Sequence, residues 1–573
     1  VARGVRGGAE ISLKPDAPAT ALGSLRERLA PEGRLVPKQD RQREIQVVER
    51  RATLPPTPQT LLPLFMHRLR FLALGFIALG AIGNVAVAAA TRPNFVFIVS
   101  EDNGPELGCY GDPYARTPVL DRLAQEGVRF DRAYVTQAGC SQSRSSVMTG
   151  LYPHQNGQLG LATWGFRLYR PETPNLPRQL KAAGYRTGLI GKLHINPESA
   201  FPFDFTEIPA GNFARRGLHD YAKHAEAFFT ASAQPFFLSV NFPDAHRPWT
   251  RQVDGLPAQP QGPADVRPMA YMGVDQPDLR ALVADYYNCI SRLDTLVGEV
   301  LAALQRAGKA DNTVVVYLGD HGADMLRGKR TSYEGGVRIP LLVRWPAGAK
   351  AGQVRRELVS TVDLLPTLLD LAAAAPVPGL AGRSLAPLLR GERGPWREYL
   401  FTEFHTHAAK SNYWPQRTVR DDRHKLIENL LPGQVNPGYE FTLHHLEADL
   451  SGAIAAAPPE VRAAYARMER PPRWELYDLE SDPFEFHDLS TDPAHAATLA
   501  RLQRELLRWR EESADPLLKP DNLARLTAEI DRASKQEARA QSWDYPHYFF
   551  GQEPPARGTP AAEEAGKKKR KKQ

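Results

Sequence analysis

Four runs of strand length in this chain are apolar almost without interruption, and each ends in a knot of polar residues. Asn94-Phe95-Val96-Phe97-Ile98-Val99-Ser100 runs into Glu101-Asp102-Asn103-Gly104. Tyr185 to Ile190 delivers Gly191-Lys192-Leu193-His194. Phe236 to Val240 delivers Asn241-Phe242-Pro243-Asp244-Ala245-His246, and Thr313 to Leu318 delivers Gly319-Asp320-His321-Gly322. A strand with one wet face alternates apolar and polar residues. A run without alternation is buried on both faces, the condition of a parallel sheet covered by helices. Helical patterns lie between the runs: Thr117 as N-cap before Pro118 and a stop at Gly127, Leu176 to Ala183 before Gly184, and Leu279 to Arg306 before Gly308. In the last, Leu282, Val283, Tyr286, Ile290, Leu293, Val297, Val300 and Leu304 recur near 3.6 spacing. This order predicts an α/β fold, a large mostly parallel sheet flanked by helices on both faces. Such sheets bind ligands beyond the carboxyl ends of their strands, so the site is expected where the polar knots meet.

Past a helix at Thr361 to Ala375 the texture changes. Short runs at Tyr399–Glu403, Arg417–Arg420, Lys425–Asn429 and Trp474–Leu479 alternate with turn residues. They predict a smaller C-terminal domain with an antiparallel sheet and a closing helix, Ala496 to Glu511. The expected divisions are 91–392 for the α/β domain, 393–531 for the smaller one and 532–573 for a disordered basic tail. Near the other end, Met66-His67-Arg68-Leu69-Arg70, an apolar run from Phe71 to Gly83 and Ala88-Ala89-Ala90 compose a secretory signal peptide, 66–90. An uncleaved anchor is the alternative. Residues 1–65, upstream of it, read as a gene-start artefact or a disordered extension. The signal implies a periplasmic or secreted protein with no stable membrane insertion after cleavage. The formal charge of +7 collects at the chain ends, above all in Lys567 to Lys572, and leaves the body acidic. That distribution argues against a nucleic-acid partner. Three cysteines, Cys109, Cys140 and Cys289, exclude a disulfide-built scaffold.

The chemistry gathers at Gly139-Cys140-Ser141-Gln142-Ser143-Arg144, which opens a short helix that Gly150 closes. A helix start aims unpaired N–H groups and a positive dipole end at whatever stands on Cys140, and Arg144 follows one turn later. Such a start suits an oxyanion substrate. Glu101, Asp102 and Asp320 offer three hard carboxylate ligands with His321 beside them, the donors a divalent cation takes. Capping is the other reading of an acidic pair after a strand. Lys192, His194, His246 and Lys329 together would form a basic wall, although singly each also reads as a surface Lys or a loop-capping His.

Cys140 and Arg144 resemble the sulfatase signature C-x-P-x-R, whose Cys a maturase converts to formylglycine; Gln142 stands where the family usually has Pro or a small residue. His154-Gln155-Asn156-Gly157, Pro415 to Arg420, and Trp474 to Leu479 with Ser481-Asp482-Pro483 look like the heparan N-sulfatase branch. The likeness spans most of 93–520. It implies a calcium ion held by Glu101, Asp102, Asp320 and His321 with the modified side chain of Cys140, although the family usually has Asp at position 101. It further implies attack on sulfur by hydrated formylglycine, which Arg144 keeps deprotonated. Lys192 and Lys329 would neutralise the sulfate oxygens, His246 would protonate the leaving atom, and His194 would take the second hydroxyl proton. Glu403, His405 and His407 are candidates for a sugar pocket, or else loop residues without a ligand. The expected activity is hydrolysis of sulfate from a sulfated saccharide, N-sulfoglucosamine or a related glycan sulfate ester. The alternatives are a phosphodiesterase or phosphonate hydrolase of the same superfold and, given Gln142, a non-catalytic glycan-binding relative with Cys140 unmodified.

Overall fold

All seven residues of Asn94–Ser100 are buried, near the middle of an eight-stranded sheet. In this computed structural model the described residues are 92–533 and 542–551; the extension 1–65 and the signal peptide 66–90 lie outside them. The strand order is Gln353–Arg355, Val128–Phe130, Leu341–Arg344, Thr313–Gly319, Asn94–Ser100, Phe236–Asn241, Arg186–Gly191, Phe205–Glu207. Leu341–Arg344 runs antiparallel to both neighbours, and the other pairings are parallel. The connection into Leu341–Arg344 holds the four-residue helix Glu334–Val337 and the short strand Arg338–Ile339, with no long crossover helix of the kind that usually joins parallel strands.

Alternate side chains of each central strand enter two different cores. Phe95, Phe97 and Val99 pack with Leu364, Leu365 and Leu368 on one face. Val96 and Ile98 pack with Leu293, Val297 and Val300 of the helix Pro277–Arg306 on the other. Both faces are dry, which is why the strands read as continuous apolar runs. The expected α/β class is therefore borne out. One local expectation fails. Thr117 does not cap the helix Pro118–Glu126 with its side chain. Asp294 of the long helix accepts the Val119 and Leu120 N–H groups instead, at 3.1 and 2.8 Å, and Thr117 Oγ1 accepts from Gly108.

The antiparallel sheet is ordered Leu400–Phe404, Gln416–Arg420, His424–Asn429, Trp474–Asp478. The helix Ala496–Glu512 lays Leu502, Leu506 and Trp509 on Val419, Leu426 and Leu476. This sheet and the large one belong to one compact unit. Between its last two strands the chain inserts Pro437–His445, Leu450–Ala456 and Pro459–Glu469, helices not anticipated above. The expectation of disorder from 532 onward fails for 542–551. Trp543 and Tyr545 are buried, and the Trp543 ring stacks on Phe166 at 4.2 Å. The aromatic density of Trp543 to Phe550 gives that stretch enough apolar area to dock, unlike a charge run. The basic tail from 552 lies outside the described residues.

Candidate active site

The helix Cys140–Thr149 begins at Gly139 and ends at Gly150, whose φ of 67° is the left-handed conformation that glycine adopts without strain. Its first turn points at the carboxyl ends of three sheet strands. Cys140 Sγ lies 3.4 Å from His321 Nε2. Arg144 reaches across the strand ends: Nη2 donates to Glu101 Oε1 at 2.7 Å, Nε to Asp320 Oδ2 at 3.1 Å, and Nη1 to Asn241 Oδ1 at 2.8 Å and Lys192 O at 3.0 Å. Lys192 Nζ donates to the other Glu101 oxygen at 2.9 Å, and Lys329 Nζ to both Asp102 oxygens at 2.8 and 3.0 Å. The Asp102 N–H donates to Asp320 Oδ1 at 2.9 Å. All these side chains are buried, while His194 and His246 are half-buried.

Possible ligand atoms of Glu101, Asp102, Cys140 and His246 lie within 4.8 Å of one another, as do those of Cys140, Asp320 and His321. His321 Nδ1 donates to the Gly322 carbonyl at 2.9 Å, which turns Nε2 toward Cys140, Asp102 and Asp320. Beside the Cys140 sulfur these groups offer three carboxylates and two imidazoles, and the carboxylates of Glu101, Asp102 and Asp320 fit a hard divalent cation. Asp102 and His194 hold φ values of 46° and 61°, a sterically disfavoured region for residues with a Cβ. Strain of this kind persists where the surroundings enforce it, typically at functional positions.

The electrostatics follow from burial set against close opposite charge. Burial pushes the Glu101 carboxyl up, but Lys192 and Arg144 outweigh it and hold it at about 2. Burial likewise opposes ionisation of Asp102 and Asp320. Lys329 overcomes it at Asp102, and His321 with Arg144 at Asp320, so both are lowered. Burial pushes His321 down, yet Asp320 and Cys140 raise it to about 9. His194 falls well below its usual range through burial and Lys192, and burial also lowers His246. The resting site thus holds ionised carboxylates, paired cations and two half-buried neutral imidazoles.

Several residues of the site were not anticipated. Asn241 supplies an oxygen to Arg144. Asp244 anchors the loop that carries His246. Arg292 grips both its oxygens at 2.8 Å, Arg215 Nε donates at 2.7 Å, and Arg215 Nη2 reaches His246 O at 2.5 Å. The His246 ring stacks on Phe213 at 4.0 Å. Asn241 and Asp244 follow the third apolar run, so position could have flagged them. Arg215, Arg292 and Phe213 carry no local signal.

Glu403 and His405 do not line a sugar pocket. Both are wholly buried, and Glu403 accepts from the His154 N–H at 2.8 Å and stands 3.3 Å from His405 Nε2. His407 is also buried but lies nearer the catalytic turn. Its Nδ1, without a hydrogen-bond partner, approaches the space beside Gly139. Strand alternation accounts for part of the difference, because Leu400–Phe404 pairs with Gln416–Arg420 and turns Glu403 toward Arg417 in the interior. Arg417 forks onto Asp515 at 2.9 and 2.8 Å and lies 3.9 Å from Glu403. Arg417→Ala leaves buried carboxylates short of a partner and is expected to destabilise the protein by about 3–5 kcal/mol, read by thermal or denaturant melting. Burial raises the Glu403 carboxyl, but His154 and Arg417 hold it well below its ordinary value of 4.5. Its stabilisation is therefore complete above that value and is lost as pH falls toward the lower folded one. The wild-type advantage over Arg417→Ala should shrink on acidification; an unchanged difference down to acid pH rules the pairing out.

The chain is similar to known proteins in sequence and in fold. The family model described as Sulfatase matches residues 93–374, and the one described as N-sulphoglucosamine sulphohydrolase, C-terminal, matches 319–449. The chain is 33% identical over 470 residues to N-sulphoglucosamine sulphohydrolase of Homo sapiens, covering 74% of this chain and 91% of that protein. It is 28% identical over 443 residues to an ulvan-active sulfatase of Formosa agariphila, covering 75% and 82%. A solved structure in complex with its substrate D-glucosamine-2-N,6-O-disulfate superposes with a TM-score of 0.56 at 20% identity, covering 74% of this chain and 98% of that one, and so shares the fold. With the Homo sapiens relative matched at 33% identity over 91% of its length, the chain belongs to the sulfatase family of hydrolases.

Proposed function

We propose that this protein hydrolyses sulfate from a sulfated saccharide, with the N-sulfate of glucosamine as the preferred group, using Cys140 after conversion to formylglycine and a calcium ion. The observation that carries the reading is the convergence of Cys140, at a helix start, with Glu101, Asp102, Asp320 and His321 on one side and Lys192 and Lys329 on the other. The name of the 33%-identical relative points to the N-sulfate. Glu101, Asp102, Asp320 and His321 would hold the cation, which supplies Lewis acidity and lowers the pKa of a bound hydroxyl. The carboxylates already stabilise a proton on His321, and a divalent cation would take that proton's place among them.

The chain's own groups account for the rest. The three buried carboxylates balance Arg144, Lys192 and Lys329, so the added cation makes the site positive and favours an anionic sulfate. Lys192 and Lys329 orient the sulfate oxygens. Arg144 fixes Glu101 and Asp320 and keeps the field at residue 140 positive. His246, neutral at rest, takes up a proton from solvent once the anionic substrate is bound and hands it to the departing nitrogen or oxygen. Asp102 and Glu101 are the charges that favour its protonated form, against burial. His194, held neutral, accepts a proton from the hydroxyl left on residue 140.

The substrate glycan and a formylglycine-generating maturase are the partners this reading requires. A periplasmic or secreted location is proposed from the signal-like residues 66–90, and among the described residues no helix is long and apolar enough to cross a membrane. The test is turnover of glucosamine N-sulfate, glucosamine 6-O-sulfate and an aryl phosphonate ester, alongside the mass of the peptide holding Cys140. Fastest release from the N-sulfate is expected, with the Cys140 CH2–SH found as an aldehyde, sulfur exchanged for oxygen and two hydrogens lost. A plain thiol without turnover would reduce the protein to a glycan binder. Preference for the phosphonate would move it to that branch of chemistry.

A further inference from the structure

The C-terminal segment 542–551 is joined to the catalytic turn through the loop 157–169, which both of them hold. On the outer side, Trp543 Nε1 donates to Trp164 O at 2.8 Å while its ring stacks on Phe166. The Tyr545 hydroxyl donates to Gly157 O at 2.7 Å, and the Phe550 ring centroid lies 3.9 Å from that of Tyr169. The segment has its own anchor: the Tyr548 hydroxyl donates at 2.6 Å to Glu529 of the helix Pro520–Ala533. On the inner side, Ala162 N donates to the Ser141 hydroxyl at 2.9 Å, and Gln142 Nε2 to Leu159 O at 3.4 Å. Asn196 Nδ2 donates to Ala162 O at 2.7 Å and to Phe166 O at 3.1 Å, and Asn196 O accepts from Leu168 N at 2.8 Å. One loop therefore touches the residue after Cys140 and, two residues past the strained His194, Asn196.

The loop has no strand, and its helical content is the short turn Ala162–Trp164, so contacts from outside set its place. Aromatic side chains do this well. Trp543 and Tyr545 combine large apolar rings with a polar atom that finds a backbone carbonyl, which fixes direction as well as contact. Both are buried, Tyr545 wholly so. Catalytic groups are sensitive to such placement: a shift of about 1 Å, transmitted from far away, can cost about 10²-fold in rate. We propose that Trp543 and Tyr545 are positioning residues for the reaction at residue 140. By pinning the loop 157–169 from the outside they fix Ser141 and Asn196, and through these the side chains at 140 and 194. Neither residue touches the reacting atoms. The inference rests on the hydrolase reading of the active site for its effect on rate, and on the hydrogen bonds alone for its effect on the turn.

The test measures kcat and KM on glucosamine N-sulfate for the full chain and for Trp543→Ala, Trp543→Phe, Ser141→Ala and the Trp543→Ala/Ser141→Ala pair. Trp543→Ala is expected to lower kcat about tenfold with KM nearly unchanged. Trp543→Phe keeps a ring on Phe166 without the N–H, and should recover part of the loss. In the Ser141→Ala background the further cost of Trp543→Ala should shrink below about threefold, because that link to the loop is already cut. A full tenfold cost in both backgrounds is what plain misfolding produces, and it would overturn the proposal, as would an unchanged kcat in Trp543→Ala. Hydrogen exchange read by mass spectrometry needs no turnover and so separates this inference from the hydrolase reading. In Trp543→Ala the amides of 157–169 and of the first turn of Cys140–Thr149 should exchange about tenfold faster, with the strand Asn94–Ser100 unaffected. That result supports the brace even if the wild type releases no sulfate. Faster exchange that stops short of the Cys140 turn sinks it even if sulfate is hydrolysed.

Discussion

Cys140→Ala is expected to abolish sulfate release, by on the order of 10³-fold or more, while the protein remains folded. The two halves of this expectation rest on different observations. Turnover requires a nucleophile where the helix start, the carboxylate cluster and the cations meet, and Cys140 is the side chain placed there, 3.4 Å from His321. Two neighbouring hydroxyls are committed elsewhere: Ser141 is tied to the Ala162 N–H, and Ser145 bonds back to Gln142 O. Stability, by contrast, depends little on the sulfur. Cys140 makes no bond that holds the helix; Gly139 O accepts from Ser143 N, and Gln142 Nε2 fixes the turn to Leu159 O and Thr406 O. Removing one buried sulfur costs about 1 kcal/mol in lost contacts. A thermal melt and an assay on glucosamine N-sulfate check both halves. An Ala variant that keeps a tenth of wild-type turnover would remove Cys140 from the chemistry.

Much of this site could be read before any coordinates, for a physical reason. Strands buried on both faces leave an unbroken apolar signature, so the ends of Asn94–Ser100, Phe236–Asn241 and Thr313–Gly319 were visible, and with them Glu101, Asp102, His246, Asp320 and His321. What stayed hidden depends on contacts between residues distant in the chain. Asp244 is held by Arg215 and Arg292, and neither arginine differs locally from a surface one. Thr117 had the sequence of a cap, but Asp294 from another helix took the role. Glu403 and His405 had the residue types of a sugar pocket, yet strand register turned them inward against His154 and Arg417. The reversed strand Leu341–Arg344 was found as a strand, but its direction was not. Asp102 and His194 carry their strain in φ, which residue type does not announce.

Arg144 is the one residue in which folding and catalysis are least separable. Its guanidinium is 4% exposed and donates to Glu101, Asp320, Asn241 and the Lys192 carbonyl. Replacing it with Ala leaves two buried carboxylates with one fewer cation between them, and loss of one partner from a buried ionic cluster costs about 3–5 kcal/mol. Lys192 still serves Glu101, and His321 with the Asp102 N–H still serves Asp320, which keeps the deficit below that of an isolated charge. Arg144→Lys should recover only part of the loss, since a single ammonium cannot fork to four acceptors. Turnover is expected to fall about 10²–10³-fold in Arg144→Ala as the positive field at residue 140 weakens. Added calcium gives the sharper test. The freed oxygens of Glu101 and Asp320 become available to a divalent cation, so millimolar calcium should raise the melting temperature of Arg144→Ala more than that of the wild type. Equal shifts in the two proteins would mean that the guanidinium and the cation do not share these carboxylates, and the proposed metal site would have to be moved away from Glu101 and Asp320.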